Sequence, residues 1–302
     1  MRYIPILAFC SLGIIWGSNF IYMKLSAELI TPMQVVFYRV LFGFLPVFIY
    51  AYLTKALNKS DLKHFKHFFV MSLLATIVYY FGFVKGSFLL LSGVAGALSG
   101  AIPLFSFVLA VIFLKDEKIS KFAFVGVIVG FLGVILISGI FEENIVGSNI
   151  EGIVYMLLGS LSIGASFIYA KKYISPLNIS AAALTTYQLG FALVILLFIT
   201  DFTGINSVWQ NTHVSVGLVL GLGLLGTGLA YIIYYYIVEN LGAVKASSVT
   251  YIPPLVALLI GALIVGENIK SIDYLATMLI FAGVFLINSN TRKGKKIPFK
   301  KD

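Results

Sequence analysis

Long apolar runs separated by short polar segments organise the whole chain. They can be read at 4–23, 32–53, 68–90, 92–114, 121–140, 150–170, 178–200, 214–238, 243–265 and 272–289. Crossing a hydrocarbon core of roughly 30 Å takes about 20 apolar residues in an α-helix, so each run suffices for a span. The runs are continuous and do not alternate with period two, which excludes the strands of an outer-membrane barrel. A chain in lipid must satisfy its own backbone hydrogen bonds, and helices do so within one segment. The pattern predicts an all-α polytopic membrane protein with ten transmembrane helices. The shortest separation, at 90–92, divides the third span from the fourth.

Composition agrees. Of the 302 residues, 60% are hydrophobic and 11% charged, with a mean hydropathy of +1.02. Soluble domains hold roughly 45–50% apolar and about 25% charged residues. A soluble enzyme, a disordered chain and a coiled coil are thereby excluded. The net charge of +9 would suggest nucleic acid in a soluble protein, but here the charges sit between spans. With the N-terminus inside, the inner segments carry Arg2, then Lys55, Lys59, Lys63 and Lys66, then Lys115, Lys118 and Lys121, then Lys171, Lys172 and Lys245, and a basic tail from Arg292 to Lys301. Glu28, Glu142, Glu143, Glu151 and Asp201 fall outside. This asymmetry predicts both termini in the cytoplasm of a multi-pass plasma-membrane (inner-membrane) protein. The tail suits anionic lipid better than nucleic acid. No small-residue cleavage site follows the first run, so it reads as a retained helix. The single cysteine, Cys10, can form no internal disulfide.

The chain also resembles itself at an offset near 150 residues. Ser18-Asn19-Phe20-Ile21-Tyr22-Met23-Lys24 matches Ala165-Ser166-Phe167-Ile168-Tyr169-Ala170-Lys171. Ala101-Ile102-Pro103-Leu104 matches Tyr251-Ile252-Pro253-Pro254, Glu117 matches Glu267, and Phe131-Leu132-Gly133-Val134 matches Phe281-Ala282-Gly283-Val284. Two domains are expected, 1–145 and 146–302, each of five helices. Five is odd, so the second must enter the membrane the other way up. Inverted repeats with a midplane site between them are a transporter signature.

Several of these residues form motifs: Trp16-Gly17-Ser18-Asn19-Phe20, Tyr38-Arg39-Val40-Leu41-Phe42, Ala101-Ile102-Pro103-Leu104-Phe105 with Leu114-Lys115-Asp116-Glu117, Tyr251-Ile252-Pro253-Pro254-Leu255, and Gly266-Glu267. Together they resemble the drug/metabolite transporter superfamily, in its ten-helix EamA-type branch, over nearly the whole chain. The resemblance implies a secondary transporter of small metabolites, often an amino-acid or drug exporter, with a central cavity lined by both halves. The second half departs at Gln188, opposite Arg39.

Candidate cavity residues follow from polarity inside spans. Arg39 could hold a substrate carboxylate in a bidentate pair, or bond helix-end carbonyls. Trp16, Asn19 and Tyr22, and likewise Ser162, Ser166 and Tyr169, lie loosely on one helical face each; they could form a mixed polar and aromatic pocket or bond neighbouring helices. Tyr79, Tyr80, Tyr231 and Tyr235 belong to aromatic clusters. Pro103 and Pro253 should bend their helices, with Ser99, Ser248 and Tyr251 within a turn of them. Glu117 and Glu267 could couple transport to protons or simply cap and pack. Lys85 should face solvent near the outer end. His64, His67 and His213 read as loop residues. The run Gly126-x-x-x-Gly130 allows close helix contact, including at a homodimer face.

No phosphate-binding glycine loop, zinc motif or nucleophile elbow occurs. No enzyme activity, cofactor or metal is expected. The partners expected are a small-molecule substrate and membrane lipid. The function expected is export of amino acids or related small metabolites by alternating access, with a channel or passive facilitator as the alternative.

Overall fold

The computed structural model describes residues 4–114, 121–137, 147–241 and 248–289. Glu117, Lys245 and the basic tail lie outside the described residues, as do the side chains of Tyr235 and Ser248. Among the described residues the chain is helical, without strands. Seven helices are long and apolar enough to cross a membrane: α1 (Ile4–Ala27), α2 (Pro32–Leu53), α3 (Lys59–Leu89), α4 (Ser92–Phe113), α6 (Asn149–Leu177), α7 (Ala181–Ile199) and α8 (Thr212–Tyr234). Three shorter apolar helices complete the bundle: α5 (Lys121–Ile137), α9 (Val249–Val265) and α10 (Ser271–Ile287). Large side chains such as Phe198, Leu263 and Ile264 stand exposed on the outside. Such a surface is stable in lipid and not in water.

Local chemistry sets the helix starts. Thr31 accepts from the Gln34 backbone N–H while the Gln34 side chain accepts from the Thr31 N–H, and Pro32 follows at a first-turn position where it costs no hydrogen bond. Ser180 caps α7 through the Ala183 N–H. The break between α3 and α4 has no such signal. Leu90 and Leu91 are simply extended, at ψ 170° and 139°.

The prolines, expected inside their helices, instead begin new α segments. A 3₁₀ turn over Ser99–Ala101 precedes Pro103, another over Ser248–Tyr251 precedes Pro253, and each proline then sits in the first turn of a fresh α segment. Widened π segments occur in α3 at Leu73–Ile77 and in α8 at Gly217–Leu229. Their freed carbonyls are taken by hydroxyls: Ser162 donates to Leu74 at 2.7 Å and Thr227 to Leu222 at 2.9 Å.

Helix packing repeats itself. Helix α1 packs on α9 as α6 packs on α4; α1 packs on α8 as α6 packs on α3; α2 packs on α8 as α7 packs on α3. The pairs α2–α7, α4–α9 and α5–α10 join like positions. Small residues allow this: a Cβ on Gly126 would lie 2.6 Å from the Gly283 carbonyl, and one on Gly82 2.6 Å from the Tyr155 carbonyl. The fifth-span glycine run is therefore occupied within the chain, by α10.

Candidate functional site

A cavity of about 140 Å³ lies between the halves. Helix α1 presents Trp16, Asn19, Phe20 and Met23 to it, α2 presents Arg39, and α3 presents Tyr79, Tyr80 and Phe83. Ser99 and Ile102 of α4, Ile163 and Phe167 of α6, and Gly226, Tyr231 and Tyr234 of α8 face them, and Thr250 and Pro253 complete the wall. The lining is mostly apolar and aromatic, and it contains no carboxylate among the described residues.

Arg39 is 3% exposed. Its Nε donates to Thr227 Oγ1 at 3.1 Å and its Nη1 to Met23 Sδ at 3.4 Å, and the guanidinium carbon stands 3.9 Å from the Tyr80 ring centre. All three partners are neutral. No ion pair reaches it among the described residues. A buried cation normally has an anionic partner, because solvation lost on burial must be replaced. Asn19 is also 3% exposed, and its Oδ1 has no hydrogen-bond partner. It lies against Gly226, where a Cβ would come within 2.5 Å of that oxygen.

Trp16, Asn19, Arg39, Tyr79, Tyr80, Ser99, Tyr231 and Pro253 thus share one cavity. Others expected there lie elsewhere. Tyr22 follows Trp16 by six residues, a third of a turn off its face at 3.6 residues per turn. Its ring fills the space left by Gly217 and Gly221 of α8. On α6 the inward face is Ile163 and Phe167. Ser162 and Ser166 instead donate to the Leu74 and Ile163 carbonyls at 2.7 Å, satisfying their hydroxyls away from water. Tyr169 bonds His67 Nδ1 through its hydroxyl at 2.8 Å, so His67 belongs to a helical packing contact and not to a loop. Gln188 donates to Thr76 Oγ1 at 2.8 Å and is buried in that bond. Pro103 starts its α segment outside the cavity wall, and Tyr251 packs against the main core.

Residues overlooked in the sequence are mainly apolar: Phe20, Met23, Phe83, Ile102, Ile163 and Phe167. The stripe Trp16, Asn19, Phe20, Met23 runs i, i+3, i+4, i+7, a helix-face signature readable around Asn19. Gly226 and Thr250 carried no comparable signal.

Glu267 occupies a separate place, beside the break at 90–91. Its carboxylate accepts the N–H of Ser92 at 2.7 Å and of Gly93 at 3.0 Å, capping α4. Lys24 Nζ lies 3.3 Å from it and also donates to the Leu90 carbonyl at 3.0 Å. Burial alone would raise its pKa; the Gly93 and Ser92 donors and the Lys24 charge outweigh that and hold it below the ordinary carboxylate value. Of its two expected roles, capping is the one its partners fulfil. Nearby, Gln34 donates to the Asp201 and Thr203 carbonyls at 2.6 and 2.9 Å, and Ser207 to Leu29 at 2.9 Å. These bonds tie the α1–α2 turn to the α7–α8 loop.

Known proteins show the same plan. The model of the EamA-like transporter family matches twice, over residues 3–139 and 150–289. YoaV of Bacillus subtilis, an uncharacterized transporter, is 27% identical over 96% of this chain and 98% of its own. An uncharacterized transporter of Archaeoglobus fulgidus is 25% identical over 90% and 94%, and the Escherichia coli inner membrane transporter YedA is 29% identical over 65% and 61%. One crystal structure superposes at a TM-score of 0.64 with 16% identity, covering 94% of this chain and 96% of that chain, a likeness of fold alone. With both halves matched and aligned relatives named as transporters, the chain belongs to the EamA-like transporter family and is a membrane transporter, not an enzyme.

Proposed function

We propose that the chain is an alternating-access secondary transporter of the plasma membrane that exports amino acids or related small metabolites. Residues 1–145 and 146–302 act as two inverted five-helix repeats, and both termini lie in the cytoplasm. The twofold family match and the exchange pattern of helix packing support the repeat. The basic segments support the orientation, and the inner-membrane relative supports the location.

The observation that carries the solute assignment is Arg39: a buried guanidinium on neutral partners, in a cavity whose described lining has no acid. The counter-ion it lacks is supplied by the solute. A carboxylate can take the remaining guanidinium donors, while the rings of Tyr80, Phe83 and Tyr234 accept an apolar body. Alternating access needs one face closed at a time, and the Glu267 and Gln34 bonds clasp the face at which the α1–α2, α3–α4 and α7–α8 connections meet.

The absence of a carboxylate from the described lining, and a Glu267 held ionised, favour uncoupled facilitated transport over proton antiport. Counterflow in proteoliposomes tests the proposal. Saturable exchange of a carboxylate-bearing solute, lost in Arg39→Ala while neutral solutes are unaffected, is the expected result. Linear, non-exchanging flux would make the protein a channel, and equal loss for both solute types would remove Arg39 from the site. Flux from sidedness-defined vesicles reads the direction, and a pH gradient without effect reads the absence of coupling.

A further inference from the structure

We propose that the basic segment opening α3 and the end of α6 together form a docking site for the headgroup of an anionic phospholipid. The site lies on the rim of the bundle, apart from the central cavity, and is independent of what that cavity carries.

The two segments, 59–69 and 169–178, hold five lysines and one acid, Asp61. Lys63, Lys66 and Lys172 are exposed and enter no ion pair among the described residues. Aromatic contacts nevertheless gather the segments. His67 Nδ1 and the Tyr169 hydroxyl share a hydrogen bond of 2.8 Å, and the His67 ring stacks on Tyr173 at 6.2 Å between centres. The His64 ring stands 6.3 Å from that of His67, and Lys172 Nζ lies 5.3 Å from the Tyr173 ring centre. Helix α3 comes from the first half of the chain and α6 from the second, so lysines of both halves converge here. Like charges brought together without acids repel one another, and an anion seated among them turns that repulsion into attraction.

The neighbours select the kind of anion. Leu62, Phe65 and Phe69 are interleaved with Lys63 and Lys66, and all three stand exposed. Apolar and aromatic side chains beside lysines, at the start of a span, fit the boundary between headgroups and acyl chains. A soluble phosphate would use the lysines and leave these rings in water. A phospholipid uses both: its phosphate meets the ammonium groups while its chains cover the rings. Zwitterionic headgroups bring a cation of their own, so the lysines favour lipids of net negative charge.

The experiment is lipid quenching of a tryptophan placed in the contact. Tyr173 is exposed, so Tyr173→Trp sets the fluorophore beside Lys172, and the unaltered full chain, with Trp16 and Trp209, supplies the background. In phosphatidylcholine nanodiscs, quenching by brominated phosphatidylglycerol should saturate at a mole fraction tenfold or more below that at which brominated phosphatidylcholine quenches equally. Adding Lys63→Gln, Lys66→Gln and Lys172→Gln should remove the preference, at about fivefold per lysine, while arginine at the same three positions keeps it. Excess glycerol phosphate should not displace the lipid. Equal quenching by the two lipids, or a preference that survives the three glutamines, overturns the site. Displacement by glycerol phosphate overturns its assignment to lipid and makes it a soluble-anion site. No transport is measured, so these outcomes are separate from those that test the solute and its direction.

Discussion

The two halves of this transporter build the same frame and furnish it differently. In the first half Arg39 of α2 bonds Thr227 across the bundle; in the second Gln188 of α7 bonds Thr76. The donors are 149 residues apart and the acceptors 151, and both threonines lie in π segments, where the widened turn offers an irregular backbone. Phe20 and Phe167, Tyr80 and Tyr231, and Phe83 and Tyr234 occupy like positions, and both members of each pair line the cavity. The polar groups break the match. Asn19 Oδ1 has no hydrogen-bond partner and Arg39 bonds neutral groups, whereas Ser166 and Gln188 are satisfied by the protein. Pseudo-symmetry supplies the shape of the cavity, and the polar groups on that shape differ between the halves.

The sharpest way to break this comparison is to exchange function for stability on one side only. Arg39→Leu should abolish binding of carboxylate solutes. It should leave the thermal midpoint in detergent unchanged or raise it, because removing a buried charge without a counter-ion relieves a desolvation cost. Gln188→Leu should do the reverse: transport persists, and stability falls by about 1–2 kcal/mol as Thr76 loses its donor in the core. A midpoint that drops for Arg39→Leu as far as for Gln188→Leu would show both residues to be structural, and the contrast between the halves would disappear.

A second contrast is between carboxylates that are held and those that are free. Glu267 takes two backbone N–H donors and an ion pair, with a side chain 5% exposed. Its pKa is lowered in the folded chain, so its contribution is complete above the ordinary carboxylate value of 4.5 and is lost as pH falls through the lower folded value. Stability, read as the thermal midpoint, should be flat in this respect from neutral pH to 5 and should fall below 4.5 as the carboxylate takes up a proton. Glu267→Gln should start lower and lack that acid step. The same acid step in the variant would assign it to other groups.

That carboxylate also marks where the sequence stops being informative. The apolar runs locate the helices, because the bilayer imposes a length and a hydropathy on any span. Arg39 and Asn19 stand out because polarity inside a span needs a reason. The break at Leu90–Leu91 carries no glycine, proline or polar residue. It is fixed by Glu267 and Lys24, 175 and 66 residues away from the groups they bind, and no local pattern can encode a cap that comes from another segment. The serines of α6 misled for a related reason. A hydroxyl in a span can face a pocket or its own helix's carbonyls, and only the rotation of α6, set by Ile163 and Phe167 packing inward, decides between them. Gln188 stands opposite Arg39 in the repeat, but the repeat shows equivalence of position and not which member of a pair faces the cavity.

The smallest expected effect separates two ion pairs that look alike in sequence. Lys24–Glu267 and Lys85–Glu151 each join a lysine in the first half to a glutamate in the second, at 3.3 and 3.7 Å. The Lys85 and Glu151 side chains are 26% and 51% exposed, against 22% and 5% for the other pair. Water and salt screen the Lys85–Glu151 pair, and nothing fixes the geometry of its two long side chains, so its worth is about 0–1 kcal/mol. Lys85→Met should therefore move the thermal midpoint barely at all. At about 1 M salt, where the Debye length is roughly 3 Å, that variant and wild type should become indistinguishable, while the loss caused by Glu267→Gln should persist. The backbone donors of Ser92 and Gly93 bear no net charge and lie beneath the surface, so mobile ions have little purchase on the bonds that make Glu267 a cap. Equal salt sensitivity of the two variants would mean that Glu267 acts through Lys24 alone.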